Sequence, residues 1–136
     1  IAYYAYPGGH VGKAEFFEPF ASLSTTLGPA TLKLGGNYAW KQGALGGGDN
    51  VYVYGDVDVG VPGTPLTLTA HAGRQDGPMA ADVMAGRARA SWDWSIGAKA
   101  SVAGRLTLGL AWTGNDAPSI KGLTDDRVVG TLTVGF

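Results

Sequence analysis

The sequence predicts an all-β fold, an antiparallel transmembrane β-barrel built as an up-and-down meander of about eight strands. Three observations predict it. Apolar and polar residues alternate with a period of two along most of the chain. The connections between the alternating segments are short and long in turn, and all four tryptophans lie near the long connections. Strands of about ten residues with short turns at one end and long loops at the other are typical of outer-membrane barrels.

Length and composition narrow the class further. The chain has 136 residues, enough for one domain. Charged residues make up 15%, below the roughly 25% of ordinary soluble domains, and 23 residues are glycine. The net charge of -1 lacks the basic excess of a nucleic-acid binder. With no cysteine and two histidines, the chain also lacks the means for a disulfide framework or a common zinc site, so we expect no cofactor, no metal and no catalytic residue.

The start of the sequence does not establish whether the chain is a whole protein or part of one. It begins at Ile1, without a methionine or a signal-like segment, so we expect a processed mature chain or a piece of a longer one. Residues 1–136 then form a single β-barrel domain or its C-terminal part, with further strands preceding residue 1. No run of about 18 apolar residues predicts a transmembrane helix.

The first two predicted strands are the least regular. Residues 1–7 form a short strand whose faces cannot be assigned. Residues 14–27 place apolar side chains on one face and polar ones on the other: Phe17, Ala21, Leu23 and Leu27 against Glu18, Ser22, Ser24 and Thr26.

Six further strands alternate clearly, over residues 30–41, 51–59, 66–73, 91–102, 106–113 and 127–136. In the first of them Leu32 and Leu34 share a face opposite Lys33. In the fourth, Trp92 and Trp94 share a face opposite Asp93. Residues 79–90 follow Gly77 and Pro78 and lack an apolar stripe, so they are predicted to be a loop rather than a helix.

The connections alternate in length. Residues 28–29, 60–65 and 103–104 are tight turns, whereas residues 10–13, 42–50, 76–90 and 114–126 are longer and rich in Gly, Asp and Asn. Because consecutive antiparallel strands reverse direction, the turns lie at one end and the loops at the other. We expect the loops to face outside the cell and both chain ends to face the periplasm.

Aromatic residues mark the predicted membrane boundary. Trp40, Trp92, Trp94 and Trp112 lie on the apolar face near the long loops, where amphipathic rings span the interface between water and hydrocarbon. A soluble core with its tryptophans at one end is the alternative. Phe136 ends the chain on the same face and resembles the signal by which barrel-assembly machinery recognises its clients. Outer-membrane lipid and that machinery are therefore predicted partners.

The polar face predicts a wet interior. Its seven charged side chains would be costly in a dry core unless each were paired. The remaining inward side chains are small and would leave voids in a closed eight-stranded barrel. Either water fills the interior, or a larger barrel of about twelve strands contains this chain. The predicted pore-lining residues are Glu18, Lys33, Tyr52, Tyr54, Asp56, Asp58, His71, Asp93, Lys99 and Arg127.

Some of these residues permit other chemistry. His71 beside Ser or Thr could serve a hydrolase, but no nucleophile-elbow motif is present, and we expect a hydrogen-bonded histidine of the interior wall. Asp56 and Asp58 suit either a cation site or a negative stripe answered by Lys33 or Lys99. The Tyr52 and Tyr54 rings could stack on passing sugars or plug the mouth. Residues 46–50 lack the lysine of a P-loop and are predicted to be a flexible external loop.

Several segments, in order, resemble a known family: Tyr6-Pro7-Gly8, residues 47–56 (GGDNVYVYGD), 66–73 (LTLTAHAG), 92–97 (WDWSIG), 106–111 (LTLGLA) and 126–129 (DRVV). Together they resemble the TorF-type porins, proteobacterial outer-membrane barrel proteins. Members of that family have a signal peptide and several more strands before the Tyr-Pro-Gly segment, and they end closer to Lys-Ser-Phe than to Val134-Gly135-Phe136. The resemblance implies a bacterial outer-membrane location.

Two functions fit these observations. The first is a porin-like barrel that gives passive passage to small hydrophilic solutes. The second is a non-conducting outer-membrane barrel that acts as a structural anchor or binds a protein partner. A soluble lipid-binding barrel would carry many charges on its outer face, and the outward mid-strand positions here carry almost none.

Overall fold

The computed structural model describes residues 1–5, 15–84, 90–102, 104–121 and 124–135. These residues fold almost wholly as strands: β1 (Ala2–Tyr4), β2 (Phe16–Glu18), β3 (Phe20–Leu27), β4 (Ala30–Ala39), β5 (Asn50–Gly60), β6 (Leu66–Asp76), β7 (Ala90–Val102), β8 (Leu106–Asn115) and β9 (Arg127–Val134). The helical parts are a 3-10 turn at Gly43–Leu45 and helix α1 at Ala81–Met84. Neither has the length and apolar character needed to cross a membrane. The predicted all-β class is confirmed.

The main sheet is an antiparallel meander. Strands β3 to β9 pair in sequence order in one seven-stranded sheet, and β1 pairs with β2 in a separate two-stranded sheet. The predicted up-and-down order is therefore confirmed. Strands β3 and β9 are the edges of the main sheet and do not pair with each other, so the described residues form an open sheet and not a closed barrel.

A proline accounts for the difference between nine observed strands and eight predicted ones. Pro19 separates β2 from β3 within the predicted strand of residues 14–27. Proline has no N–H to donate to a neighbouring strand, so it interrupts the ladder. Its carbonyl still accepts a hydrogen bond from the Tyr38 N–H at 3.0 Å, which keeps β4 alongside the break.

The strand registers sort apolar and polar side chains onto opposite faces. One row across six strands is apolar: Leu32, Val57, Ala70, Ile96, Trp112 and Val128. The next row is polar: Lys33, Asp56, His71, Ser95, Thr113 and Arg127. A shift of one residue in any pair would have mixed the two rows.

The apolar face of the sheet is the more exposed one, which is the reverse of the arrangement in a soluble protein. Leu34, Ile96 and Leu110 on the apolar face are 71%, 61% and 62% exposed. On the polar face the His71 side chain is 25% exposed. This asymmetry indicates that the sheet curves around its polar side, which we call the concave face; the apolar side is the convex face. In the described residues no second layer covers the convex face.

Glycine sets the short turns. The turns between β3 and β4, β5 and β6, and β7 and β8 contain Gly28, Gly63 and Gly104, with φ of 59°, 74° and 71°. Glycine adopts these positive angles without the strain that a side chain would bring. The longer connections after β4, β6 and β8 all lie at the opposite end of the sheet.

A small apolar core lies at the long-loop end of the concave face. Phe16, Ala39 and Leu45 are buried together, with Ala44 and Met79 packed against them. The buried Asn50 side chain accepts a hydrogen bond from the Met79 N–H at 3.1 Å. We call residues 43–45 and 78–81 the loop cap, because they fold over this end. The segment predicted to be a loop after residue 79 thus contains one helical turn, α1.

Candidate functional site

The candidate site is a group of charged and aromatic side chains on the concave face. It spans strands β4 to β7 and contains Lys33, Tyr52, Tyr54, Asp56, His71 and Asp93. We call it the His71 network. Six of the ten residues predicted to line a pore therefore meet in one place.

His71 is the centre of this network. Its Nδ1 lies 2.6 Å from Asp56 Oδ1 and its Nε2 lies 3.0 Å from Asp93 Oδ1. The Tyr52 hydroxyl lies 2.9 Å from Nε2 and donates to Asp93 Oδ1 at 3.1 Å. The histidine therefore links β5 to β7 through polar contacts.

Register explains why these residues meet. Asp56 and His71 are direct partners across β5 and β6. His71 pairs with Ser95 on β7, and Asp93 lies two residues along that strand, at the diagonal position. Diagonal neighbours on one face of a sheet lie within reach of long or aromatic side chains. The network thus follows from strand pairing and not from a specialised loop.

The two tyrosines lie against the sheet. Their ring centroids are 5.5 Å apart, with 23° between the ring planes. A Cβ at Gly35 would overlap the Tyr54 ring, and a Cβ at Gly73 would overlap the Tyr52 ring. The absence of a side chain at these two glycines lets each ring lie across a neighbouring strand.

Two lysines face the acidic residues. Lys99 Nζ donates to Asp58 Oδ2 at 2.6 Å, and Lys33 Nζ lies 3.9 Å from Asp56 Oδ2. Lys33 Nζ also lies 5.0 Å from the centroid of the Tyr54 ring. Asp56 and Asp58 are thus each matched by a lysine, one of the two arrangements that the sequence leaves open. These side chains are 33% to 42% exposed, so water reaches them.

Glu18 and Arg127 are not hydrogen-bonded to His71, although Arg127 lines a cavity together with His71 and Asp93. Glu18 is buried beside the loop cap and accepts hydrogen bonds from the Tyr4 hydroxyl at 3.2 Å and Asn37 Nδ2 at 2.9 Å. Arg127 lies on the edge strand β9, where its Nε donates to the Asp125 carbonyl at 3.3 Å. Both share the concave face with the network.

A cavity of about 500 Å³ adjoins the network. Besides Lys33, Asp56 and His71 it is lined by Ser24, Thr31, Asp58, Thr69, Ala70 and Ser95. Its hydroxyl groups and charges can hydrogen-bond a small hydrophilic solute, and its volume lies within the range of small-molecule sites. His71 contacts Tyr52 and two acids rather than Ser95, so the Ser–His arrangement of a hydrolase does not form. No group of metal-ligating side chains occurs in the part of the chain that the structure describes.

Aromatic side chains form a band on the convex face at the long-loop end. Trp40, Trp92 and Trp112 are 41% to 47% exposed, and Trp94 is half-buried on the same face. The band continues through Phe17, whose ring centroid is 6.2 Å from that of Trp40, to Tyr3, 4.6 Å further on. The sequence does not identify Tyr3, because the faces of residues 1–7 cannot be assigned without β2. Phe136 lies outside the described residues.

Sequence reasoning also missed Arg74. It lies on the convex face of β6, with its guanidinium carbon 5.5 Å from the centroid of the Trp92 ring. Its position in the sequence could have identified it, because residue 74 continues the alternation that places Ala70 and Ala72 on the convex face. The predicted strand ends at residue 73, three positions before the observed end at Asp76.

Comparison with known proteins gives a family but no described activity. A family model described as "Bacterial protein of unknown function (Gcw_chp)" matches residues 1–133. No curated protein and no solved structure matches the chain. Because the family model covers nearly the whole sequence, the chain belongs to the Gcw_chp family of bacterial proteins.

Proposed function

We propose that this chain forms the wall of an outer-membrane β-barrel that gives passive passage to small hydrophilic solutes. The observation that carries the proposal is the inverted exposure of the sheet. Large apolar side chains such as Leu34 and Leu110 cover the convex face, whereas the charged side chains lie on the concave face. Contact with hydrocarbon outside and water inside stabilises this arrangement, and a fully aqueous setting does not.

Strand length supports the same placement. Strands β4, β5, β6 and β8 have 10 or 11 residues. A tilted strand needs about 9 to 11 residues to cross the hydrocarbon layer. The aromatic band lies at one end of these strands, where it would meet the headgroups.

The sheet edges favour a barrel with more strands. In hydrocarbon every backbone N–H and C=O needs a partner. Strands β4 to β8 are paired on both sides, but β3 and β9 are each paired on one side only in the main sheet of the described residues. Strands that precede residue 1 would supply the missing partners in a barrel of about twelve strands, the size that the small inward side chains also favour.

The concave face suits a passive lumen. Asp56 and Asp58 are each matched by a lysine and partly exposed to water. The charges predicted to line the pore are nearly balanced, with four acidic and three basic residues. Near balance argues against strong selection between cations and anions. The resemblance to TorF-type porins agrees with this function, and Phe136 would serve as the recognition signal for barrel-assembly machinery.

The loop cap favours the second candidate, a non-conducting barrel that anchors or binds a partner. Phe16, Leu45 and Met79 pack at the long-loop end of the concave face. Such packing would obstruct the mouth of a narrow barrel.

Conductance measurements distinguish the two candidates. We expect the full-length protein in a planar lipid bilayer to give discrete conductance steps. If the wild type does not conduct but a variant with Leu45→Ser and Met79→Ser does, the loop cap closes a pore. If neither protein conducts, although both resist unfolding in detergent as folded barrels do, the passive-pore function is wrong and the anchor function is supported.

A further inference from the structure

We propose that the convex face holds a binding site for an anionic, phosphate-bearing membrane lipid. The phosphate pairs with Arg74, and an acyl chain lies in an apolar groove next to it. This inference rests on the proposed membrane placement of the chain. It adds a specific lipid ligand, which a barrel wall does not require.

The groove is a depression in the apolar surface of the convex face. It has a volume of about 510 Å³, and the small residues Gly55, Ala70 and Ala72 line part of it. Gly55 pairs with Ala72 across β5 and β6, so small residues lie side by side there. Leucine and valine also line it: Leu23, Leu32, Leu34 and Val57. Its lining suits a flexible hydrocarbon chain.

Arg74 lies at the long-loop end of this groove. It follows Ala72 by two residues on the same face of β6, about 7 Å along the strand. Arg74 is exposed, and its register partner on β7 is Trp92, a member of the aromatic band. Aromatic bands lie at the level of the lipid headgroups. The guanidinium is therefore placed where lipid phosphates are.

Among the described residues, no acidic side chain forms an ion pair with Arg74. On the convex face of the described strands the charged residues are Arg74 and Asp76 alone. Asp76 lies two residues further toward the loops, and no ion pair joins it, or any other described residue, to Arg74. Trp92 covers one face of the guanidinium, which leaves its N–H groups for a planar array of phosphate oxygens. A cation that no described acid pairs with, beside an apolar groove, complements an anionic lipid.

Lipid retention tests the site. The purified protein is placed in nanodiscs, and bound lipid is then measured by native mass spectrometry, with phosphatidylglycerol and phosphatidylcholine of identical acyl chains as probes. We expect the wild type to retain phosphatidylglycerol preferentially and Arg74→Gln to reduce that preference about fivefold. Ala72→Phe fills the groove and should reduce retention of both lipids.

Matched controls separate the site from general effects. Arg105→Gln removes an exposed arginine at the short-turn end, and Ala100→Phe adds a ring to the convex face outside the groove. Both should retain lipid as the wild type does. Equal preference in wild type and Arg74→Gln, or equal loss in Ala72→Phe and Ala100→Phe, would overturn the lipid site.

Two further outcomes have distinct meanings. A protein that does not insert into nanodiscs contradicts the membrane placement itself, and with it this inference. A protein that inserts but shows no preference contradicts the lipid site alone. If Ala72→Phe converts a dimer to a monomer without changing lipid retention, a second copy of the chain occupies the groove, and the lipid site is wrong.

Discussion

Asp56 and His71 are direct cross-strand partners on β5 and β6, and their side chains meet at 2.6 Å on the concave face. The contact joins the middle of the sheet to Asp93 on the next strand through the second ring nitrogen. Hydrogen bonds between Asp56, His71 and Asp93 thus hold these side chains against the concave face of the sheet.

Sidedness can be tested on β8. Leu110→Arg places a charge on the convex face near mid-strand, where Leu110 is 62% exposed. We expect a loss of about 2 to 4 kcal/mol in folding free energy if lipid covers that face, and a much smaller loss for Thr107→Arg on the concave face. Denaturant titrations of protein folded into lipid vesicles measure both. Equal losses would contradict the proposed sidedness.

Topology can be tested with single cysteines, since the chain has none of its own. Lys121→Cys lies in the long connection after β8, and Arg105→Cys lies in the short turn before it; both positions are exposed. A membrane-impermeant maleimide should label Lys121→Cys on intact cells. Arg105→Cys should react only after the outer membrane is disrupted. The reverse pattern would place the loops in the periplasm.

The role of the concave charges can be tested by reversal potential. Asp58→Asn removes the partner of Lys99, from which it lies 2.6 Å away, and so adds one uncompensated positive charge. If the concave face lines a pore, the reversal potential in a salt gradient should shift toward anion preference. Folding should change little, because such partly exposed pairs contribute at most about 1 kcal/mol. Asp76→Asn on the convex face is the control and should leave the potential unchanged.

The close approach of Tyr52 to Gly73 can be tested by a double-mutant cycle. Gly73→Ala adds a Cβ that overlaps the Tyr52 ring, so the ring must leave its contacts with His71 and Asp93. We expect a loss of about 1 to 3 kcal/mol, as for other overpacked sites. In a Tyr52→Ala background the added methyl group should cost far less. Additive losses would show that the ring and the glycine are not coupled.

Much of the fold was predictable from residue alternation alone. Leu32 and Lys33 take opposite faces because successive side chains of a strand point to opposite sides, and the same rule placed Asp56, His71 and Asp93 together on one face. The short turns were predictable from their glycines and prolines. Strand order followed from the short turns, which permit only hairpin neighbours.

Features that depend on register or on loop packing were not predictable. Gly35 and Gly73 lie on strands far apart in sequence, and their role as space for tyrosine rings appears only once β4, β5 and β6 are aligned. Leu45 and Met79 lie in glycine-rich connections without periodicity, so nothing in the sequence indicates that they pack on Phe16. The division at Pro19 could have been expected, because proline interrupts a ladder.

The order of strands in the main sheet also determines how the chain can assemble. Each strand from β3 to β9 pairs only with its neighbours in sequence, so every pairing closes a short stretch of chain. Sheets built from such local pairings fold faster than those that join distant segments. Three hairpins, β3–β4, β5–β6 and β7–β8, each with a tight glycine turn, can form independently and then join edge to edge. In the proposed barrel, such a chain can be added one hairpin at a time, and each step leaves one edge strand to accept the next hairpin.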